Sequence, residues 1–327
     1  MTKRQRPSKT HRKRNVDALL FIDANQYLNF YEVSKGKKLL NALKEQKGYI
    51  FVTKQIRDEV QRRKLGIAAR FFSRQFEQLK VRGFEVPDHL LGLSGRAASD
   101  LRSELTKLDG PLKRANAALD RAANQSLEKI SRSEDDVSKS LSILFRRAVE
   151  HSPEEIARAK QRKELGNPPG KRADPLGDQL SWEQLLTRCK DLSKIWIVTR
   201  DSDYCSDCFG EILLNPLLYE DLLRECANKT LAVFCFDNID DALRHFVAET
   251  GVQAARLPTS EESKELKEQI QSLPPIDFLP TTMNDAASVV IQAAYNQRNE
   301  AARRVASWAS LQDNIHCLRD AIDVKLK

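Results

Sequence analysis

Two aspartates stand beyond the carboxyl ends of two predicted strands, where side chains from different strands can meet. Asp23 follows the apolar run Ala18–Ile22, and Asp201 comes soon after the run Ile195–Val198. Apolar runs without polar alternation are typical of parallel strands that are buried on both faces. The ligand crevice of an open parallel sheet lies beyond the carboxyl ends of its strands. We therefore expect both aspartates in one site, although they are far apart in sequence.

Further acidic residues lie in or near predicted helices. Glu59 lies in a helix that follows the strand Tyr49–Thr53, Asp178 opens another helix, and Asp203 comes two residues after the second aspartate. Carboxylate oxygens suit hard cations such as Mg²⁺ and Mn²⁺, whereas Zn²⁺ would require His or Cys side chains, which do not cluster here. A pair of such cations can activate water and stabilise the leaving oxygen of a phosphodiester. These residues predict phosphodiester hydrolysis.

The acidic motifs, in their order along the chain, resemble those of the PIN-domain nucleases, especially the larger PIN-like proteins with a long helical insertion. The resemblance covers roughly residues 16–64 and 165–250, and it implies a three-layer α/β/α fold around a central parallel sheet. It rests on Phe21–Asn25 with Tyr27–Tyr31, on Tyr49–Thr53 with Glu59 and Val60, on Asn167–Gly170 with Asp174 and Gly177–Trp182, and on Ile197–Asp201.

Carried over to this sequence, the resemblance implies a set of metal ligands with supporting residues. Asp203 and Asp174 would be outer or alternate ligands, and Asn25 would steady the first aspartate or contact a phosphate. Glu59 is the least secure ligand because about a hundred inserted residues follow it, and Asp58 is the obvious substitute. The four implied ligands, which are also the implied catalytic residues, are Asp23, Glu59, Asp178 and Asp201.

Each acidic residue taken alone also has a structural explanation. Asp23, Asp178 and Asp203 can cap following helices, because a carboxylate oxygen satisfies an unpaired amide and the helix dipole favours negative charge. Glu59 can be a solvated residue paired with Arg63, four positions later. Independent caps have no reason to recur at strand ends in the order that this family requires, so their joint occurrence favours a metal site.

We expect three parts along the chain. Residues 1–15 form a basic, disordered tail, residues 16–250 form the PIN-like nuclease domain with its helical insertion at about 66–165, and residues 251–327 form a linker and a helical extension. Within the insertion, Gly110 and Pro111 predict a break that would give a helical hairpin or a small bundle. The extension contains an apolar helical face, which we expect to dock on the same chain: Trp308, Leu311, Ile315, Leu318 and Ile322.

The apolar periods and turn signals also predict the elements of the nuclease domain. The predicted strands are 18–22, 49–53, 195–199 and 231–236. The predicted helices are 25–47, 54–64, 178–193, 211–227 and 237–249. Between the insertion and the third acidic motif, a turn-rich loop carries Lys171 and Arg172, which we expect to face a substrate phosphate.

Charge and composition limit the setting of the protein. The net charge of +8 falls to about +1 without the seven Lys and Arg residues among the first fourteen positions. These residues can bind phosphates by counterion release, and a solubility arm or a targeting signal explains them equally well. We expect a cytoplasmic protein without a membrane partner, because no apolar run reaches transmembrane length and no secretory signal is evident. The six cysteines are expected to be reduced thiols.

The sequence thus predicts a Mg²⁺- or Mn²⁺-dependent endonuclease whose products carry 5′-phosphates, as the resemblance implies. The resemblance favours RNA as the substrate, and a DNA-directed or structure-specific nuclease is the first alternative. A second alternative is a catalytically weak PIN-like module that binds nucleic acid or protein through its tail and insertion. An inhibitory or oligomeric partner at the insertion or at the C-terminal helix remains open.

Overall fold

Four parallel strands form the central sheet of the protein, in the order β2-β1-β3-β6. They are seen in a computed structural model that describes residues 17–79, 96–170, 176–226, 231–252 and 257–273. Two further strands, β4 and β5, form an antiparallel hairpin. The strands are β1 Ala18–Ile22, β2 Ile50–Phe51, β3 Lys194–Val198, β4 Cys205–Cys208, β5 Glu211–Leu214 and β6 Ala232–Phe236.

Helices cover both faces of this sheet, which confirms the predicted three-layer α/β/α fold. Leu20 of β1 pairs in register with Trp196 of β3, so Phe21 points to the opposite face from Trp196. The ten helices of the described residues are α1 Ala24–Leu28, α2 Lys37–Glu45, α3 Lys54–Leu79, α4 Arg96–Ser131, α5 Asp136–Phe145, α6 Pro153–Leu165, α7 Gly177–Arg188, α8 Pro216–Glu225, α9 Ile239–Thr250 and α10 Ser260–Gln271.

Large aromatic side chains fill the space between the sheet and its helices. On one face, Trp196 lies edge-on to Phe246 of α9, with ring centroids 5.0 Å apart. On the other face, Phe21 contacts Tyr204, which in turn packs against Trp182 of α7 at a centroid distance of 6.0 Å. All five of these side chains are buried. The two central strands are therefore held between two apolar layers.

The first predicted helix and the second predicted strand are shorter in the structure than in the sequence analysis. The predicted helix 25–47 is divided into α1, a 3-10 turn at Asn29–Tyr31 and α2. Gly36 precedes α2, and a Cβ at this position would lie 2.8 Å from the ring of Phe30. The close approach of backbone and ring therefore requires glycine. The predicted strand 49–53 retains only the two residues of β2.

Two other predictions were wrong. The predicted break at Gly110 and Pro111 is absent, because α4 continues through Pro111. The surrounding turn is exposed, so a carbonyl that loses its helical hydrogen bond there can be solvated. The predicted helix 211–227 begins only at α8, because its first residues form β5 and pair with β4 in the hairpin. A tight turn at Phe209 and Gly210, both with positive φ, connects the two strands.

The long segment 54–148 leaves the sheet and returns to it at the same point. The amide of Lys54 donates to the carbonyl of Val149 at 2.9 Å, and the amide of Val149 donates to the carbonyl of Val52 at 2.9 Å. We call this segment the helical excursion; it contains α3, α4 and α5. Two guanidinium groups of α3, those of Arg70 and Arg74, attach it to the buried carboxylate of Glu32.

Helix α10 packs on the domain, between α2 and α9. Its Leu266 and Ile270 are buried, and ion pairs join Lys38 to Glu262 at 2.7 Å and Lys267 to Asp241 at 2.8 Å. The described residues all belong to one compact unit that ends at Pro274. The predicted basic tail and the predicted C-terminal helix lie outside the described residues. Among the described helices, none combines the length and the apolar character that a membrane crossing requires.

Replacement of Leu20 by Ala should test whether β1 lies at the centre of the core. Leu20 is fully buried in a central strand, so Leu20→Ala should lower the free energy of unfolding by about 2–5 kcal/mol. Leu108→Ala is the matched control, because this side chain is 55% exposed on α4 and its loss should change stability by less than about 0.5 kcal/mol. Chemical denaturation would measure both, and equal effects would contradict the assigned position of β1.

Candidate active site

The pairing of β1 with β3 places Asp23 beside the Asp201 loop. The amide of Asp23 donates to the carbonyl of Val198 at 3.0 Å, which extends the strand register by one residue. The buried hydroxyl of Thr199 donates to Asp23 Oδ2 at 3.1 Å and accepts from the amide of Asp201 at 3.0 Å. One threonine side chain therefore connects the two aspartates that the sequence analysis expected in one site.

Capping of a helix does not account for two of the aspartates. Asp23 occupies the N-cap position of α1, but within the described residues its side chain makes no capping hydrogen bond. Asp203 is followed by β4 rather than by a helix, so the capping interpretation was wrong for this residue. Asp178 lies in the first turn of α7, where the helix dipole favours a negative charge, and this structural explanation remains compatible with its position.

Electrostatic repulsion acts on the buried carboxyl group of Asp23. Burial, together with the negative charges of Glu59 and Asp201, raises the pKa of Asp23 from an ordinary 3.8 to about 7, although the Thr199 hydrogen bond acts in the opposite direction. Asp23 is only 7% exposed, so solvent does little to screen these charges. Asp23 after β1, Glu59 of α3 and Asp201 in the loop after β3 therefore lie close enough for the last two to repel the first.

Tyr204 is the residue whose phenol is affected by the charges of all four predicted ligands. Its buried hydroxyl donates to the backbone carbonyl of Asp178 at 3.3 Å. Burial raises the pKa of this phenol well above its ordinary value, and the charges of four carboxylates raise it further. In decreasing order of effect, they belong to Asp178, Asp23, Asp201 and Glu59. We refer to these four carboxylates as the acidic site.

Sequence reasoning missed both Tyr204 and the bridging role of Thr199. Tyr204 comes three residues after Asp201, and its amide donates to the Asp201 carbonyl at 3.1 Å, so a turn brings the ring back under the acidic site. An aromatic residue directly after an acidic loop was the available signal. For Thr199, the signal was a hydroxyl side chain at the end of a strand that is otherwise apolar.

The structure separates Glu59 from its predicted substitute, Asp58. Asp58 accepts hydrogen bonds from Lys54 at 3.0 Å and from Arg57 at 2.9 Å, and although burial opposes the change, these cations lower its pKa. The charge of Glu59, in contrast, acts on the buried aspartate of β1. Glu59 also pairs with Arg63 at 2.8 Å, as its structural interpretation predicted. Glu59 is thus the acid that α3 directs toward the site.

Close approach of α7 to α3 brings Asp178 into the group. A Cβ at Gly177 would lie 2.7 Å from the side-chain nitrogen of Gln55, so the absence of a side chain permits this approach. Deeper in the same interface, the hydroxyls of Thr53 and Ser181 lie 3.1 Å apart and share a hydrogen bond. The N-terminal turn of α7 is therefore fixed against the helix that carries the second acid.

A buried arginine holds the loop that leads into α7. Arg162 of α6 donates to Glu183 of α7 at 2.8 Å, to Asp221 of α8 at 2.5 Å and to the carbonyl of Pro168 at 2.7 Å. All three side chains of this ion-pair group are largely shielded from water, so removal of one member would leave an unpaired buried charge. The position of Asp178 thus depends on packing well outside the acidic site.

The remaining predicted site residues fall into two groups. The amide of Asp203 donates to Asp201 Oδ1 at 2.9 Å, and Asn25 lies in α1, two residues after the first aspartate. Both residues carry a buried side-chain oxygen without a hydrogen-bond partner among the described residues. Three predicted residues lie outside the described part of the chain: Lys171, Arg172 and Asp174.

The donor atoms of this region match the chemistry of a hard divalent cation. Every candidate donor is an oxygen, and among the described residues two of the buried oxygens here lack hydrogen-bond partners. A cation would also offset the burial and the repulsion that raise the pKa of Asp23. Within the described residues, however, no three acidic, His or Cys side chains are close enough together to form a metal-binding group. The residue types therefore suit such a cation, although the described side chains do not surround a single position.

A parallel sheet with acidic residues beyond its carboxyl ends defines an α/β protein whose ligand site lies at that edge. The chain matches the family model of the PIN-like domain over residues 19–206, and it therefore belongs to this family, as its motifs predicted. Searches against curated proteins and against solved structures gave no significant match. The family is part of a nuclease-type superfamily, whose members are generally nucleases and typically use divalent metal ions.

The raised pKa of Asp23 predicts a specific dependence of stability on pH. The folded state binds the Asp23 proton more tightly than the unfolded state, so this contribution to stability is greatest below about pH 4 and is lost as pH rises toward 7. In EDTA, Asp23→Asn should therefore gain stability relative to wild type over this range, by up to about 4 kcal/mol. Denaturation of both proteins at several pH values would measure the difference.

Asp58→Asn is the matched control for this experiment. The pairing of Asp58 with Lys54 and Arg57 lowers the pKa of Asp58. Removal of this carboxylate should therefore change the free energy of unfolding slightly, and with the opposite sign. A constant difference between Asp23→Asn and wild type from pH 4 to pH 8 would contradict the assigned burial and repulsion.

Proposed function

We propose that the protein is a Mg²⁺- or Mn²⁺-dependent endoribonuclease. The observation that supports this proposal is that Thr199 connects Asp23 and Asp201 at the carboxyl ends of two paired strands, in a chain of the PIN-like family, while Glu59 and Asp178 lie near enough to act on the same buried tyrosine. A group of like charges is costly to hold together, and so it is usually retained where a positive ligand compensates it. Nuclease activity is the chemistry that such a site supports best.

Each carboxylate would have a distinct part in this activity. Asp23, Asp201, Asp178 and Glu59 would hold the cation, and Asp203 and Asn25 would supply additional oxygens. When bound, the cation would activate water and neutralise charge on the phosphodiester. Thr199 would fix the orientation of the Asp23 carboxylate through its hydrogen bond.

Tyr204 would exclude water from the buried side of the acidic site. Its ring is buried between Phe21 and Trp182, and its high pKa keeps the phenol neutral at physiological pH. A neutral hydroxyl adds no further negative charge next to the carboxylates. Exclusion of water on this side strengthens the electrostatic interactions on the side that faces the substrate.

The preference for RNA rests on the family resemblance, and a DNA-directed or structure-specific nuclease is its alternative.

We also propose a cytoplasmic location with reduced thiols. The cysteines of the described residues are all free. Reducing compartments favour this state of the thiols.

Cleavage of labelled single-stranded RNA and DNA, with Mg²⁺, Mn²⁺ or EDTA, would test the proposed activity. Wild type should cleave RNA in the presence of a divalent cation, and EDTA should abolish cleavage. Asp23→Asn and Asp178→Asn should each reduce the rate on the order of 100-fold or more. Asp58→Asn should retain activity, because ion pairs hold Asp58 away from the site. Equal activity of all variants would refute the proposed site.

Thermal unfolding would test cation binding without any substrate. Mn²⁺ should raise the melting temperature of wild type in a concentration-dependent way, because a ligand that binds only the folded state stabilises it by RT ln(1 + [L]/Kd). The increase should be much smaller in Asp23→Asn and should persist in Asp58→Asn. Tight RNA binding without cleavage or a Mn²⁺ effect would instead favour a noncatalytic binding module.

A further inference from the structure

Arg63 is an arginine of α3 that donates a hydrogen bond to a carboxylate of the acidic site. Its Nη1 lies 2.8 Å from Glu59 Oε1, one helical turn earlier. The two side chains are 23% and 21% exposed, so this pair lies at the border between the buried site and solvent. A ligand that approaches the acidic site from solvent can therefore reach the guanidinium group.

Other cations of α3 have partners elsewhere. Lys54 and Arg57 pair with Asp58, and Lys64 donates to the hydroxyl of Ser138 at 3.1 Å. Further along the helix, two arginines bind the fully buried carboxylate of Glu32, as described above. These contacts attach α3 to its surroundings. Arg63 also contacts a carboxylate for which the proposed function provides a cation.

A phosphodiester that enters an acidic site meets strong repulsion unless positive groups accompany it. Guanidinium groups suit this task because their N–H donors match the geometry of phosphate oxygens and because they remain charged at all physiological pH values. A guanidinium group has five such donors, so it can hold a carboxylate and a phosphate oxygen together.

We propose that Arg63 is a phosphate-binding residue of the active site, which holds the backbone of single-stranded RNA beside Glu59. This inference rests on the proposed nuclease function, to which it adds a residue that directly contacts the substrate. It assigns the Glu59–Arg63 pair a role in substrate binding in addition to its role on the helix surface.

The test is RNA binding by variants of Arg63 in an Asp178→Asn background, where cleavage should be slower by about 100-fold or more. Fluorescence anisotropy with a short labelled RNA should show about tenfold weaker binding for Arg63→Gln, and the slope of log affinity against log salt should fall by about one. Arg63→Lys should restore the salt slope but only part of the affinity, because lysine lacks the planar fork.

Arg132→Gln is the matched control. Arg132 forms a pair of the same spacing with Glu128 at 2.6 Å, but both side chains are more than half exposed and Glu128 is not a predicted site residue. The affinity of the Arg132→Gln variant for RNA should remain within about twofold of that of the Asp178→Asn background protein. The melting temperatures of all variants should agree within about 2 °C, because pairs one turn apart contribute little to stability.

Two results would overturn the proposal. If Arg63→Gln leaves RNA affinity and salt slope unchanged while it alters Mn²⁺ binding, then Arg63 only orients Glu59. If the loss occurs with RNA but not with single-stranded DNA, then Arg63 contacts the ribose rather than the phosphate.

Failure of the nuclease proposal would be recognised separately. It would appear as a wild-type protein that neither cleaves RNA nor responds to Mn²⁺, whereas the Arg63 comparison can still be made in EDTA.

Discussion

The parallel pairing of β1 with β3 is the contact on which the acidic site depends. It aligns Ile22 with Val198, so both strands end at the same level and Asp23 continues the ladder with one further hydrogen bond. Thr199 then uses a single hydroxyl to hold two loops together. Because side chains alternate between the faces of a sheet, a shift of this register by one residue would reverse the faces of Phe21 and its neighbours and separate the loops.

Repulsion within the site is balanced by packing outside it. The burial of the Asp23 carboxylate and its repulsion by Glu59 and Asp201 oppose folding at neutral pH, as the raised pKa of Asp23 indicates. The segments that carry them are fixed by apolar and ionic contacts at a distance, such as the Arg162 group on α6, α7 and α8 and the bonds from α3 to Glu32. The fold thus concentrates negative charge in one place while other regions supply the stability that this requires.

The sequence predicted the parts of this arrangement that depend on local composition. Apolar runs predicted β1, β3 and β6, and the residues after the first two runs predicted Asp23 and Asp201. The β4–β5 hairpin was not predicted, because Glu211–Leu214 is as compatible with a helix as with a strand when the partner strand is unknown. The choice of Glu59 over Asp58 depends on the rotation of α3 against the sheet, which neighbouring residues of a helix do not specify. The place of Tyr204 near the acidic site could not be predicted, because it depends on the turn after Asp201 and on carboxylates from other segments of the chain.

The helical excursion begins and ends at the same point of the sheet, and this limits what a change in its length would cost. The backbone bonds at Val149 close a loop of almost a hundred residues, and the entropy of closing a loop rises only with the logarithm of its length. Doubling such a loop costs about 0.6 kcal/mol, less than a single buried methylene group contributes. The closure entropy therefore places little limit on the length of this segment, and the limit comes instead from the packing of its helices, such as the buried Ala123 and Ile130 of α4.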